Sequence, residues 1–210
     1  MSIELNHIKP TYMSDVEIST SDVYLQKSVL FEKGKTYLIV ANSGKGKSSI
    51  LNFIYGSNTN YLGSITYSSD IIEDSILNLR KTVLSYVFQD FKLFPELTVF
   101  ENICIKNDLT NHRTTPEIHR FLRKLNLQNR THALVSSLSL GEKQRVAIIR
   151  ALCQPFKFLL MDEPFSHLDD WNIKITSRII EEELYSNNAS LILTSLGSEY
   201  LFDYDKVFNL

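Results

Sequence analysis

Cysteine is nearly absent. Of 210 residues only Cys104 and Cys153 carry thiols, each within an apolar segment, NICIK and RALCQPF. Both are read as buried, reduced side chains rather than as a disulfide or a metal site. The five histidines, His7, His112, His119, His132 and His167, show neither metal-ligand spacing nor a carboxylate partner. No apolar run reaches the roughly 18 to 20 residues that cross a bilayer. The N-terminus, MSIELNHIKP, alternates like a strand and lacks the apolar core of a signal peptide. A soluble, cytoplasmic chain is expected, with any membrane association made through a partner. Excess charge is missing too: the formal net charge is −2, so no basic surface argues for nucleic acid, and no nucleic-acid partner is expected. The acidic runs Asp169-Asp170 and Glu181-Glu182-Glu183 are too short to be tails, and the glutamate triplet reads as a solvated helix face.

What is present is enough for one core, with room for two lobes: 43% of the residues are hydrophobic. Residues 3–8 alternate apolar and polar as an edge strand does, and residues 29–31 continue the pattern before a tight turn at 32–35. Residues 36–40 (TYLIV) form a continuous apolar run of strand length. A glycine loop follows, and then a segment with Ile50, Leu51 and Ile54 on one helical face. Residues 158–161 and 190–194 read as two more buried strands, which together predict a parallel sheet covered on both faces. The stretch from about 90 to 137 differs. Its Ile118, Phe121, Leu122 and Leu125 make a helical stripe, and it reads as a mostly helical lobe inserted in the α/β core.

Two motifs carry chemistry. Residues 41–48, ANSGKGKS, fit the phosphate-loop pattern G-x4-G-K-[ST] except that Ala41 stands at the first glycine. Gly44 and Gly46 let successive backbone N–H groups of Asn42, Ser43, Gly44, Lys45 and Gly46 converge on phosphate oxygens. The helix beginning near Lys47, with Ser48 and Ser49 in its first turn, adds its positive dipole end. Lys47 is expected at the β- and γ-phosphates and the Ser48 hydroxyl on Mg²⁺. The second motif ends the strand at 158–161: Asp162 and Glu163 lie where α/β sheets bind ligands. Asp162 suits Mg²⁺ through water, and Glu163 suits polarising or deprotonating an attacking water.

With three further blocks, these residues resemble the ABC transporter ATPase family over essentially the whole chain. YVFQDFKLFPELTVFEN, residues 86–102, resembles the Q-loop, which implies Gln89 near Mg²⁺ and the water. Ser139, Gly141 and Glu142, within LSLGEKQRVAIIRAL, resemble the family signature, which holds the γ-phosphate of the opposite subunit. Residues 166–169 (SHLD) resemble the D-loop that crosses a dimer interface. Tyr12 stands where the family usually has an aromatic stacked on adenine. The insertion at 13–22 resembles cassettes of the lipoprotein-release, macrolide-export and cell-division-associated group.

The resemblance implies an α/β P-loop NTPase fold: a mostly parallel sheet core, an N-terminal antiparallel β portion and an inserted helical subdomain. Residues 1–210 would form one ABC ATPase domain, with the catalytic core at about 1–89 and 153–210 and the helical subdomain at about 90–152. It implies ATP and Mg²⁺ as cofactors, a second ABC ATPase subunit and an integral membrane permease as partners, and a peripheral place on the inner face of the membrane. Two departures bear on rate. Leu140 replaces the first signature glycine, and Ser195 occupies the place of the switch histidine, where it can donate one hydrogen bond but carries no charge. Slow hydrolysis is expected, with a regulatory or asymmetric partner cassette as the alternative.

Overall fold

The computed structural model describes residues 1–68, 75–197 and 200–210. Its strands are β1 (Ser2–Pro10), β2 (Ser28–Glu32), β3 (Thr36–Val40), β4 (Tyr61–Ser68), β5 (Leu84–Val87), β6 (Phe158–Asp162), β7 (Ser190–Ser195) and β8 (Lys206–Asn209). Its helices are α1 (Lys47–Tyr55), α2 (Ile76–Thr82), α3 (Val99–Asn107), α4 (Thr115–Lys124), α5 (Leu140–Leu152) and α6 (Asp170–Asn187). Five strands form a wholly parallel sheet in the order β5-β6-β7-β3-β8. β2, β1 and β4 form a separate antiparallel sheet.

The β6 sequence, FLLMD, shows why the parallel sheet is a middle layer. Side chains alternate between its faces. Phe158 and Leu160 therefore join the core shared with α1 and the antiparallel sheet, whereas Leu159 and Met161 join the core under α5 and α6. Burying each such side chain contributes about 1.5–3 kcal/mol. That is why β3, β6 and β7 read as unbroken apolar runs.

Residues 3–8 correct the sequence reading: β1 is the central strand of its sheet, flanked by β2 and β4, not an edge. Alternation reports one covered face; it carries no information on how many strands pair along the edges.

The inserted lobe is α3, α4, two short 3-10 turns and α5. Its helix starts are written locally. In α3, Thr98 accepts from the Glu101 N–H at 3.2 Å while Glu101 accepts from the Thr98 N–H at 2.8 Å. Ser139 and Glu142 repeat this reciprocal pair at α5, a cap contributing about 1 kcal/mol. The glutamate triplet of α6 requires a second correction. Glu181 and Glu182 are exposed, but Glu183 is buried and pairs with Arg113 of the lobe. Glu183 follows the buried Ile180 and Ile179 by three and four residues, so it shares their packed face of α6, whereas Glu181 and Glu182 point away from it.

Candidate functional site

The loop from β3 to α1 curls at Gly44 (φ +80°) and Gly46 (φ +87°), left-handed angles that a side chain resists. Open space surrounds Gly44, whereas a Cβ on Gly46 would lie 2.6 Å from the Tyr24 hydroxyl oxygen. Tyr24, buried between the 13–22 insertion and β2, donates to the Gly46 carbonyl at 2.8 Å. That carbonyl also accepts the first α1 hydrogen bond, from the Ile50 N–H at 3.1 Å.

Lys47 Nζ reaches back to the carbonyls of Ala41 (2.7 Å) and Asn42 (3.1 Å). It also lies 3.3 Å from Glu163 Oε1. The Gln89 amide donates to Glu163 Oε2 at 3.3 Å, so the phosphate-loop cation, the Q-loop amide and the strand-end carboxylate meet. Glu163 itself holds a left-handed backbone, φ +47°, strained for a non-glycine residue. Its N–H is caught by Thr194 Oγ1 at 3.1 Å, and its carbonyl accepts from the Gln144 side chain at 3.3 Å.

Asp162 is buried, and burial holds its carboxyl above the usual aspartate range, against hydrogen bonds from Ser48 and Thr194. Thr194 donates to Asp162 Oδ1 at 2.7 Å. Ser48, Gln89 and Asp162 thus present a hydroxyl, an amide and a carboxylate around one cavity of about 490 Å³. The buried Tyr86 hydroxyl, which lacks a hydrogen-bond partner among the described residues, lines the same cavity. This set fits Mg²⁺, an ion that takes one or two carboxylates and fills its shell with phosphate oxygens and water.

A second cavity, about 260 Å³, is lined by Tyr12, Met13, Ser43, Gly44, Gly46, Lys47, Ser48, Ser49, Gln89 and Glu163. Tyr12 is 56% exposed, and its hydroxyl is bonded to that of Ser49. Asn42 and Lys45 belong to the loop but not to this lining. Nor do Ser139, Gly141 and Glu142: the structure does not bring the signature to the phosphate loop. Gly141 has no room for a side chain, because a Cβ there would stand 2.8 Å from the His167 carbonyl oxygen. Glu142 is engaged by the Ser139 cap and by Arg130 at 2.9 Å, and Leu140 is 53% exposed. Ser195 is buried at the end of β7, where it accepts from the Gly197 N–H at 3.2 Å.

A family model described as ABC transporter matches residues 25–166. The chain belongs to the ABC transporter family. The lipoprotein-releasing system ATP-binding protein LolD of Buchnera aphidicola subsp. Schizaphis graminum is 32% identical over 198 residues, covering 91% of this chain and 85% of the relative. The LolD of Protochlamydia amoebophila is 26% identical over 208 residues, 94% and 88% of the two chains. Among solved structures, the ABC cassette MJ0796, described as a dimer in a post-hydrolysis state with ADP and Pi, superposes with a TM-score of 0.72. It is 24% identical and covers 92% of this chain and 87% of that one. This ABC cassette is an ATP-binding, ATP-hydrolysing transporter subunit that uses Mg²⁺.

Sequence reading missed four supports of the ABC site. Thr194 lies in the apolar run of β7 and Tyr24 in a segment without a motif, so neither gives a sign of a hydroxyl at work. Gln144 of α5 accepts from the His167 N–H at 3.0 Å and so ties the signature helix to both Glu163 and the D-loop. Arg150 is buried with no carboxylate partner among the described residues. It donates to the carbonyls of Phe91 (2.6 Å) and Lys92 (2.7 Å), two residues with positive φ just after Gln89. Burial lowers its guanidinium to about 10, so it stays charged at neutral pH.

Proposed function

We propose that this cassette closes on ATP with a second cassette and drives a membrane permease from the cytoplasmic face of the membrane. The two LolD relatives support a system of the lipoprotein-releasing kind. Among the described residues no helix is long and apolar enough to cross a membrane, which fits a permease carried on another chain.

The observation that carries the mechanism is the meeting of Lys47, Gln89 and Glu163 within 3.3 Å. Lys47 exchanges its loop carbonyls and Glu163 for β- and γ-phosphate oxygens. Freed from Lys47, the Glu163 carboxylate accepts a proton from the water that attacks the γ-phosphorus. The bond from that phosphorus to the β-bridging oxygen breaks, and ADP and phosphate leave. Ser48, Gln89 and Asp162 would hold Mg²⁺, which when bound would offset charge on the phosphate oxygens. Gln89 orients the water, and Ser195 contributes one uncharged hydrogen bond near the γ-phosphate. Tyr12 stacks on adenine. Ser139, Gly141 and Glu142 act on the partner's nucleotide, in line with their distance from this chain's own loop.

The test is steady-state ATPase activity of the chain with and without its permease in lipid, using Glu163→Gln as the blank. Activity that needs Glu163 and rises with the permease is expected, as is an ATP-trapped Glu163→Gln dimer on gel filtration. Unchanged hydrolysis by Glu163→Gln removes Glu163 from the mechanism, and a monomer at saturating ATP removes the closing step.

A further inference from the structure

Tyr86 lies on β5 with a hydroxyl only 7% of whose residue surface is exposed and for which no directed hydrogen bond exists among the described residues. Its ring is fixed. It stacks on Phe88 at 3.9 Å and meets Tyr55 edge-on at 5.3 Å. The register pairs Tyr86 with Leu160, so Asp162, two residues further along β6, stands on the same face of the sheet. The phenol reaches along that face to the Asp162 carboxylate without completing a well-aligned bond to it. Ser48, Gln89 and Asp162 line the same cavity as Tyr86.

A buried, unpaired hydroxyl is costly, and phenylalanine would fill the same space without that cost. One Asp162 oxygen is already taken by Thr194. Beyond its approach to Asp162, no polar group of the described residues completes the bonding of the Tyr86 hydroxyl. Mg²⁺ supplies a polar partner, because it dehydrates reluctantly and brings waters into its site. A phenol is both donor and acceptor, so it can accept from such a water while donating to Asp162.

We propose that Tyr86 is a positioning residue of the metal site, whose hydroxyl finds its partner only when hydrated Mg²⁺ and nucleotide are bound. It orients Asp162 and a metal-bound water from outside the ion's direct ligands, as outer-shell groups do elsewhere. This inference rests on the assignment of Ser48, Gln89 and Asp162 to the metal.

Tyr86→Phe in the full chain tests it, with Mn²⁺ as the probe. Bound Mn²⁺ is measured by electron paramagnetic resonance in the presence of ATP. Metal-free ATP binding is measured in EDTA with a fluorescent analogue, and the melting temperature is taken without ligand. The expected pattern is a roughly three- to tenfold weaker Mn²⁺ affinity, unchanged metal-free ATP binding, and an empty protein that melts at or above the wild-type temperature. Unchanged Mn²⁺ affinity overturns the proposal. So does a parallel loss of metal-free ATP binding, or a fall in melting temperature, since either makes the phenol structural. Asp162→Asn serves as reference. If it keeps wild-type Mn²⁺ binding, the metal assignment itself fails; if it loses Mn²⁺ while Tyr86→Phe does not, only the role of Tyr86 fails.

Discussion

Adding one methyl group to the phosphate loop, Gly46→Ala, separates two reasons for that glycine. The backbone there has φ +87°, and the new Cβ would stand 2.6 Å from Tyr24 Oη, 3.1 Å from Tyr24 Cε2 and 3.2 Å from Met13 Cε. The left-handed angle costs an alanine about 1–2 kcal/mol, and forcing the contact adds about 1–3 kcal/mol. A central loss of about 3 kcal/mol lowers the melting temperature of a chain this size by roughly 6–12 °C. Tyr24→Phe alone removes the 2.8 Å bond to the Gly46 carbonyl, a loss of about 0.5–1.5 kcal/mol. In the double variant the phenylalanine also removes the nearest clashing atom, so the penalties cannot add. The double variant is expected to be about 1–2 kcal/mol more stable than the sum of the singles implies. Urea unfolding measures the cycle, and a fluorescent nucleotide titration tracks binding in the same four proteins. Additivity within about 0.5 kcal/mol would refute the claim that Tyr24 forms the wall behind the loop.

Arg150→Ala leaves the buried carbonyl of Phe91 and the part-buried carbonyl of Lys92 without this donor. A stability loss of about 2–4 kcal/mol is expected, with ATPase activity falling further than nucleotide binding because the Q-loop loses its anchor; equal falls in both would sink that link. Arg113→Ala strands the buried Glu183 carboxylate and should cost about 3–5 kcal/mol. The Arg113→Met/Glu183→Leu pair should recover most of it in denaturant melts, and no recovery would mean that packing, not charge, sets the loss. Hydrogen bonds from the Thr98 side chain and backbone hold Glu101 below the usual glutamate range. Its contribution to stability is therefore complete above the ordinary value of 4.5 and is lost as pH falls through the lower folded-state value. Melting temperatures of wild type and Glu101→Gln should converge in that acid window, and a constant gap would count against the cap.

The sequence was most legible where contiguous residues perform one task. ANSGKGKS announces a phosphate loop because neighbouring N–H groups, a helix start and a lysine must lie side by side in the chain to cradle one anion. FLLMDE was readable for a similar reason: a fully buried strand ending in carboxylates leaves little choice of place in an α/β sheet. Periodicity failed where the deciding partner was remote. The alternation of residues 3–8 did not reveal the two flanking strands, and the glutamate triplet did not reveal the Arg113 that draws Glu183 inward.

By itself, then, the sequence determined the parallel α/β core, the loop for phosphate and the identities of Lys47, Ser48, Asp162 and Glu163, since these depend on spacing along the chain. The tertiary structure decided what surrounds them. The order β5-β6-β7-β3 sets the strand ends side by side, so Gln89 meets Glu163 across 74 residues and Thr194 meets it across 31. Tyr24, Tyr86, Gln144 and Arg150 acquire their tasks only there, because a hydrogen bond is made by atoms about 3 Å apart, a distance that chain separation does not encode.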